Sequence, residues 1–137
     1  MEQKNLLYMN TAALAFMGDA VYETYVRKHL LDSGQVHGDK LHRSAVNYVR
    51  ADAQAKALKE MLESLSEDEL ALVKRARNRR TTTKPKNADP IDYKWATAFE
   101  ALIGYLFLSE NGTRMEEIIN RAILCLGESH GKETGKK

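Results

Sequence analysis

The stretch LAFMGDAVYE, Leu14 to Glu23, reads as helix core with a carboxylate, Asp19, set in its middle. An ionised carboxylate buried without a partner costs several kcal/mol. Gly18, immediately before it, adds about 1 kcal/mol of helix penalty relative to alanine. A second stretch, WATAFEALIGYLFL from Trp95 to Leu108, repeats the oddity: Glu100 sits in an apolar run and Gly104 follows one turn later. Small residues, Ala15, Ala20, Ala96, Ala98 and Ala101, flank both acids. Small side chains let two helices approach closely, so Asp19 and Glu100 could face one another across a helix–helix contact. Such carboxylates repel, and one pKa rises, unless a cation lies between them. Oxygen ligands with positions left for water suit Mg²⁺, with Mn²⁺ as a substitute. A site of that kind activates water and stabilises charge on a phosphoryl group. Glu23, one turn after Asp19, is a candidate further ligand. The alternative is that each acid caps a neighbouring helix or pairs with an arginine. On chemistry alone the two readings are evenly matched.

Outward from these stretches the chain reads as all-helical. It holds 8 glycines and 2 prolines in 137 residues and no alternating apolar/polar run. One helix is expected over 11–31, before the turn Asp32-Ser33-Gly34. A second is expected over 39–62, with Leu41, Ala45, Val49 and Ala53 repeating at i+4. A third opens at the capping box Ser66-Glu67-Asp68-Glu69 and runs to Asn78. Residues 79–90, RRTTTKPKNADP, form a loop. A central helix covers 91–109, and a last one starts at a second capping box, Thr113 to Glu116, and stops at Gly127. This gives one domain over 1–127 and a polar, disordered tail over 128–137.

Composition is that of an ordinary soluble domain, with 43% hydrophobic and 29% charged residues. The single cysteine, Cys125, excludes an internal disulfide and reads as a small core residue. The four histidines, His29, His37, His42 and His130, form no ligand cluster. No apolar run is long enough to span a bilayer. The amino terminus has no secretion signal, and a cytoplasmic location is expected. Net charge is only +2 but unevenly placed. KRARNRRTTTKPK, Lys74 to Lys86, holds seven of the 21 basic residues and no acid, which leaves the remainder net acidic. Arginine, lysine and short polar side chains are the usual contacts of a phosphate backbone. Arg75, Arg77, Arg79, Arg80, Lys84, Lys86 and Asn87 are therefore candidate nucleic-acid contacts. Few aromatics are interleaved, which disfavours single-strand stacking. The bland reading is a solvated helix end favoured by the helix dipole.

Together these residues resemble a family. LAFMGDAVYE is similar to the ribonuclease III signature, of the form ERLEFLGDAVL. ATAFEALIGYLFL is similar to that family's second acidic motif, of the form ADAFEALIGAIYLD. The arrangement RxRN…PKN…Y(K/R)xATAFEALIGYL, Arg75 to Leu106, resembles the bacterial Mini-ribonuclease III form, which lacks a double-stranded-RNA-binding domain. By position the resemblance makes Asp19 and Glu100 catalytic residues and metal ligands. Two family acids are replaced by Ala15 and Thr97, which leaves open the number of metals and whether Glu23 or water fills their place. The resemblance implies an all-α ribonuclease III catalytic-domain fold and a cytoplasmic homodimer. It implies Mg²⁺-dependent hydrolysis of double-stranded RNA to 5′-phosphate and 3′-hydroxyl products. The role implied is maturation of the 23S ribosomal RNA precursor, with a ribosomal protein as a further partner. The rivals are a non-catalytic, ribosome-associated RNA-binding protein of the same fold and a metal-dependent nucleotide hydrolase. Retention of both acids argues against the first, and the size of the basic segment against the second.

Overall fold

Asn10 caps the first long helix: its side-chain oxygen accepts from the backbone N–H groups of Ala12 and Ala13. The computed structural model describes residues 3–80 and 89–134, and the side chains of 5–80 and 89–127. The described residues form seven α-helices and no strand: α1 (Gln3–Leu7), α2 (Thr11–Asp32), α3 (Gly38–Val49), α4 (Ala51–Met61), α5 (Glu67–Arg77), α6 (Pro90–Leu108) and α7 (Gly112–Thr134). A 3₁₀ turn, Leu62–Ser64, follows α4. The protein is all-α, as its sequence implies.

Three expected helices appear with boundaries shifted by a residue or so. Ser33 and Gly34, the latter at φ 96°, end α2. The capping box of α5 is formed: Ser66 Oγ accepts from the Glu69 N–H while Glu69 Oε1 accepts from the Ser66 N–H. Asp89 caps α6, and Pro90 takes its first position, where no N–H is needed.

Four expectations need correction. A short helix, α1, precedes α2, held by the Arg75 guanidinium, which donates to the carbonyls of Leu7 and Tyr8. The single helix expected over 39–62 is two, bent at Arg50, whose ψ of 153° is extended. There the Gln54 side-chain amide donates to the Val49 carbonyl at 2.9 Å and takes up an acceptor left by the break. The last helix begins at Gly112, so Thr113 lies inside it and the expected second capping box is not its start. Glu110, at φ 60°, turns the chain there, and Asn111 donates back to Leu106 in a Schellman-type closure. Finally α7 passes through Gly127 to Thr134 instead of stopping. At Gly127 an added Cβ would lie 3.4 Å from the Tyr48 hydroxyl, so the residue is small for packing between α3 and α7.

Helix α6 is the centre of the core. Its residues Ala98, Phe99, Ala101, Leu102 and Ile103 are fully buried. It packs on α2, α4, α5 and α7, most extensively on α2. Phe99 meets Tyr22 edge to face at 4.9 Å, and Tyr22 donates to the Tyr48 carbonyl at 3.3 Å. Across the far end, Arg114 of α7 clamps buried Glu69 through two hydrogen bonds, Nε to Oε2 and Nη2 to Oε1, both 2.9 Å. The capping glutamate thus also ties α5 to α7. Cys125 is half-buried, not core, and its thiol donates to Glu60 at 2.7 Å.

Candidate active site

The two glycines beside the acids explain how α2 and α6 meet. A Cβ on Gly18 would lie 1.7 Å from the Glu100 carbonyl oxygen and 2.9 Å from the Gly104 nitrogen. A Cβ on Gly104 would lie 1.9 Å from the Leu14 carbonyl oxygen. Backbone therefore rests on backbone, a closeness only glycine permits. Leu14 faces Gly104 while Gly18 faces Glu100, so the helices run antiparallel. The helix penalty at Gly18 and Gly104 is the cost of this crossing.

Asp19 and Glu100 emerge at its edge. Asp19 is exposed and Glu100 is half-buried, so neither is sealed in the core. The two side chains meet, and the protonated Glu100 carboxyl hydrogen-bonds to Asp19. Burial foremost, then that hydrogen bond and the charge of Asp19, push Glu100 up to about 9, opposed by a hydrogen bond from Gln54. At neutral pH Glu100 therefore keeps its proton unless a cation displaces it.

Glu23 is not brought into the pair. It bonds Arg27 of its own helix at 3.0 Å and lines an apolar cleft between α2 and α3 with Leu30, Leu41 and Ala45. Among the described residues no group of three His, Cys, Asp or Glu side chains is placed to hold a metal. Sequence reading missed Gln54, which is 2% exposed, sits on α4 and reaches Glu100. Its signal was present: a polar residue between Ala53 and Ala55, on a helix buried on several sides.

The basic segment divides. Arg75 is committed to α1, as described above. Arg77 lies over the Trp95 ring, 5.0 Å from its centroid, as does Lys59 at 5.3 Å, and it also bonds Asn78. Both arginines thus also make contacts within the protein, Arg75 while exposed and Arg77 while half-buried. Arg79 and Arg80 are exposed. Lys84, Lys86 and Asn87 lie outside the described residues.

This acidic pair lies within residues 12–111, which match the Ribonuclease III domain. A Mini-ribonuclease 3 of Enterococcus faecalis is 46% identical over 126 residues, 90% of this chain and 96% of its own. One from Brevibacillus brevis is 50% identical over 121 residues, 88% and 90% of the two chains. The chain belongs to the Mini-ribonuclease III branch of the ribonuclease III family. Membership makes it an RNA endonuclease of that family's catalytic-domain fold. A crystal structure of a protein from Fusobacterium nucleatum has the same fold, with a TM-score of 0.77 at 33% identity over 88% of this chain and 95% of that one. Asp19 and Glu100, the two acids by which the sequence resembles that family, stand where the glycine crossing brings two helices together. No helix of the described residues is long and apolar enough to cross a membrane.

Proposed function

We propose that the chain hydrolyses phosphodiester bonds in double-stranded RNA with Mg²⁺, or Mn²⁺ in its place, held by Asp19 and Glu100. The observation that carries this reading is the contact between the two carboxyls at the α2–α6 crossing. Their donor chemistry fits a hard divalent cation: both are oxygen ligands, and Mg²⁺ is commonly bound by one or two carboxylates with water completing its shell. A cation would also relieve the proton that burial and Asp19 force onto Glu100. When bound, it supplies an activated water and stabilises the charge that develops on the phosphate. The protein's own part is to fix two carboxylates on a rigid crossing, with one face open to substrate through exposed Asp19. Arg79 and Arg80, exposed just beyond α5, would contact backbone phosphates in this reading. Cleavage at the 3′-oxygen gives 5′-phosphate and 3′-hydroxyl ends.

The active form in this reading is a homodimer. One chain holds one acidic pair, whereas cutting both strands of a duplex needs two, and a two-fold axis supplies the second. Phe16, one turn before Asp19, is 81% exposed, and a partner subunit would cover it. The substrate in this reading is the 23S ribosomal RNA precursor, with a ribosomal protein as an accessory partner in the cytoplasm. Double-stranded RNA, single-stranded RNA and duplex DNA, each incubated with Mg²⁺, Mn²⁺ or EDTA, test the chemistry. Cutting confined to double-stranded RNA and abolished by EDTA is expected, and by Asp19→Asn as well. Equal cutting in EDTA would refute the metal site. Light scattering of wild type and Phe16→Glu tests the dimer: the variant should fall to monomer mass and lose cleavage, and a wild-type monomer with full activity would refute it.

A further inference from the structure

Gln54 contributes to no catalytic motif, yet its environment is unusual. It is 2% exposed, on α4, and its amide touches two elements at once. The Nε2 group donates to the Val49 carbonyl at 2.9 Å and the side chain also bonds Glu100. Its orientation is set by Val49, because an amide oxygen turned toward that carbonyl would be repelled. The consequence is that Gln54 Oε1 is buried with no hydrogen-bond donor. A buried acceptor without a donor is costly, and native proteins keep few of them. Oε1 is bonded to the same carbon as Nε2, about 2.2 Å from it by amide geometry. Because the side chain also bonds Glu100, Oε1 lies within a few ångström of that carboxyl, within reach of water that the proposed cation would bring.

We infer that Gln54 is a positioning residue of the acid site: its N–H orients the Glu100 carboxylate, and its Oε1 accepts from water held on the divalent cation. This rests on the metal-binding reading given above. A merely structural role is the alternative, in which Gln54 serves only to close the α3–α4 bend through Val49.

The test separates the two by removing the N–H alone or the N–H and the oxygen together. Gln54→Leu removes both, and Gln54→Glu removes the donation to Val49 but keeps an oxygen. Mn²⁺ affinity is read directly from the free-ion paramagnetic resonance signal, with Asp19→Asn as reference and circular dichroism to confirm folding. Asp19→Asn is expected to lose Mn²⁺ binding. Gln54→Leu should bind Mn²⁺ about 10- to 100-fold more weakly, as outer-shell changes commonly do. Gln54→Glu should bind at least as tightly as wild type, and cleavage by Gln54→Leu should recover toward wild type at saturating metal. Unchanged Mn²⁺ affinity in folded Gln54→Leu overturns the inference, and so does Gln54→Glu binding as weakly as Gln54→Leu. If Gln54→Leu does not fold, Gln54→Glu against wild type decides: equal or tighter binding supports the inference, and tenfold weaker binding overturns it. Mn²⁺ binding that survives Asp19→Asn would instead remove the metal site itself, and the inference with it.

Discussion

Replacing Gly18 by alanine tests the link between fold and site in a single methyl group. The new Cβ would stand 1.7 Å from the Glu100 carbonyl oxygen and 2.6 Å from its carbon. Contacts become ordinary only at 3.4 Å, so α2 and α6 must separate by roughly 1.7 Å at this point. Both partners in the clash are backbone, and no rotamer change can absorb it. Overpacking of this kind costs about 1–3 kcal/mol and occasionally more. A gap of even 0.5–1 Å forfeits about a quarter to a half of each dispersion contact along the interface. Alanine returns about 1 kcal/mol of helix propensity. With the lost dispersion contacts roughly offsetting the propensity gain, the net expectation is a loss of about 1–3 kcal/mol, which lowers the melting temperature by roughly 5–10 °C in a chain of this size. Asp19 moves with α2, away from Glu100, and a displacement of about 1 Å at a reacting centre can cost about 100-fold in rate. Urea titration gives the first quantity and single-turnover cleavage in Mg²⁺ the second. Gly112→Ala is the control: its added Cβ meets nothing within 4 Å, and stability should hold or rise slightly. A Gly18→Ala protein as stable and as active as wild type would refute the close crossing and the argument that places the acids by it.

Glu100, raised to about 9, makes the metal-free protein lose stability as pH climbs from its ordinary value of 4.5 toward 9, because the folded state holds a proton that the unfolded state releases. In EDTA, Glu100→Gln should therefore flatten the urea midpoint between pH 5 and 8.5 and exceed wild type at the upper end; equal slopes would count against the carboxyl contact. Glu69 behaves with the opposite sign: burial would raise it, but hydrogen bonds from Arg114 and Ser66 outweigh burial and hold it below its ordinary value. Its contribution is present above the ordinary carboxylate pKa and lost as pH falls through the lowered one. Arg114→Met should cost about 3 kcal/mol at pH 7, the low end for a broken buried pair because Arg114 is partly exposed, and less at pH 3. A loss that did not shrink in acid would exclude the ion pair as its cause. Arg79→Ala with Arg80→Ala should weaken duplex RNA binding with little change in melting temperature, lowering the salt slope of log K by roughly 0.9 for each phosphate contact in a B-DNA-like duplex and by a similar amount in RNA. An unchanged slope would place the duplex elsewhere on the surface.

The elements that the sequence made legible share one property: their signals are local. Ser66 is a cap that bonds its own first turn. Asp32-Ser33-Gly34 contains its own left-handed glycine. The elements it hid depend on partners far along the chain. The bend at Arg50 has no glycine or proline, and the i+4 stripe from Leu41 to Ala53 continues straight through it. Its closure comes from a side chain of the next helix, which no periodicity can anticipate. Gly127 reads as a stop by local rules, whereas its small size answers to Tyr48, far away on α3. Charge is similarly ambiguous. Arg75 and Arg79 look alike in KRARNRR, yet one is bound to the carbonyls of α1 and the other faces solvent.

The acid site shows where that ambiguity ends and why. A carboxylate in an apolar helix is improbable by itself, and two of them, each near a glycine, limit each other's explanations. Asp19 and Glu100 could be singled out because charge is costly in a core and glycine is costly in a helix. Gln54 raises neither objection: an amide is neutral, and glutamine is a good helix former. Only the fold reveals its cost, through an acceptor shut away from water with no donor. The same reasoning separates the members of this site by how they are held. Asp19 and Glu100 are placed by backbone, since the crossing at Gly18 and Gly104 leaves no freedom in the distance between helices. Gln54 is placed by a hydrogen bond to Val49, at a bend that its own side chain helps to close. Disturbance of the crossing should therefore damage fold and site together, whereas disturbance of Gln54 can change the acid site while leaving the packing of α2 on α6 intact.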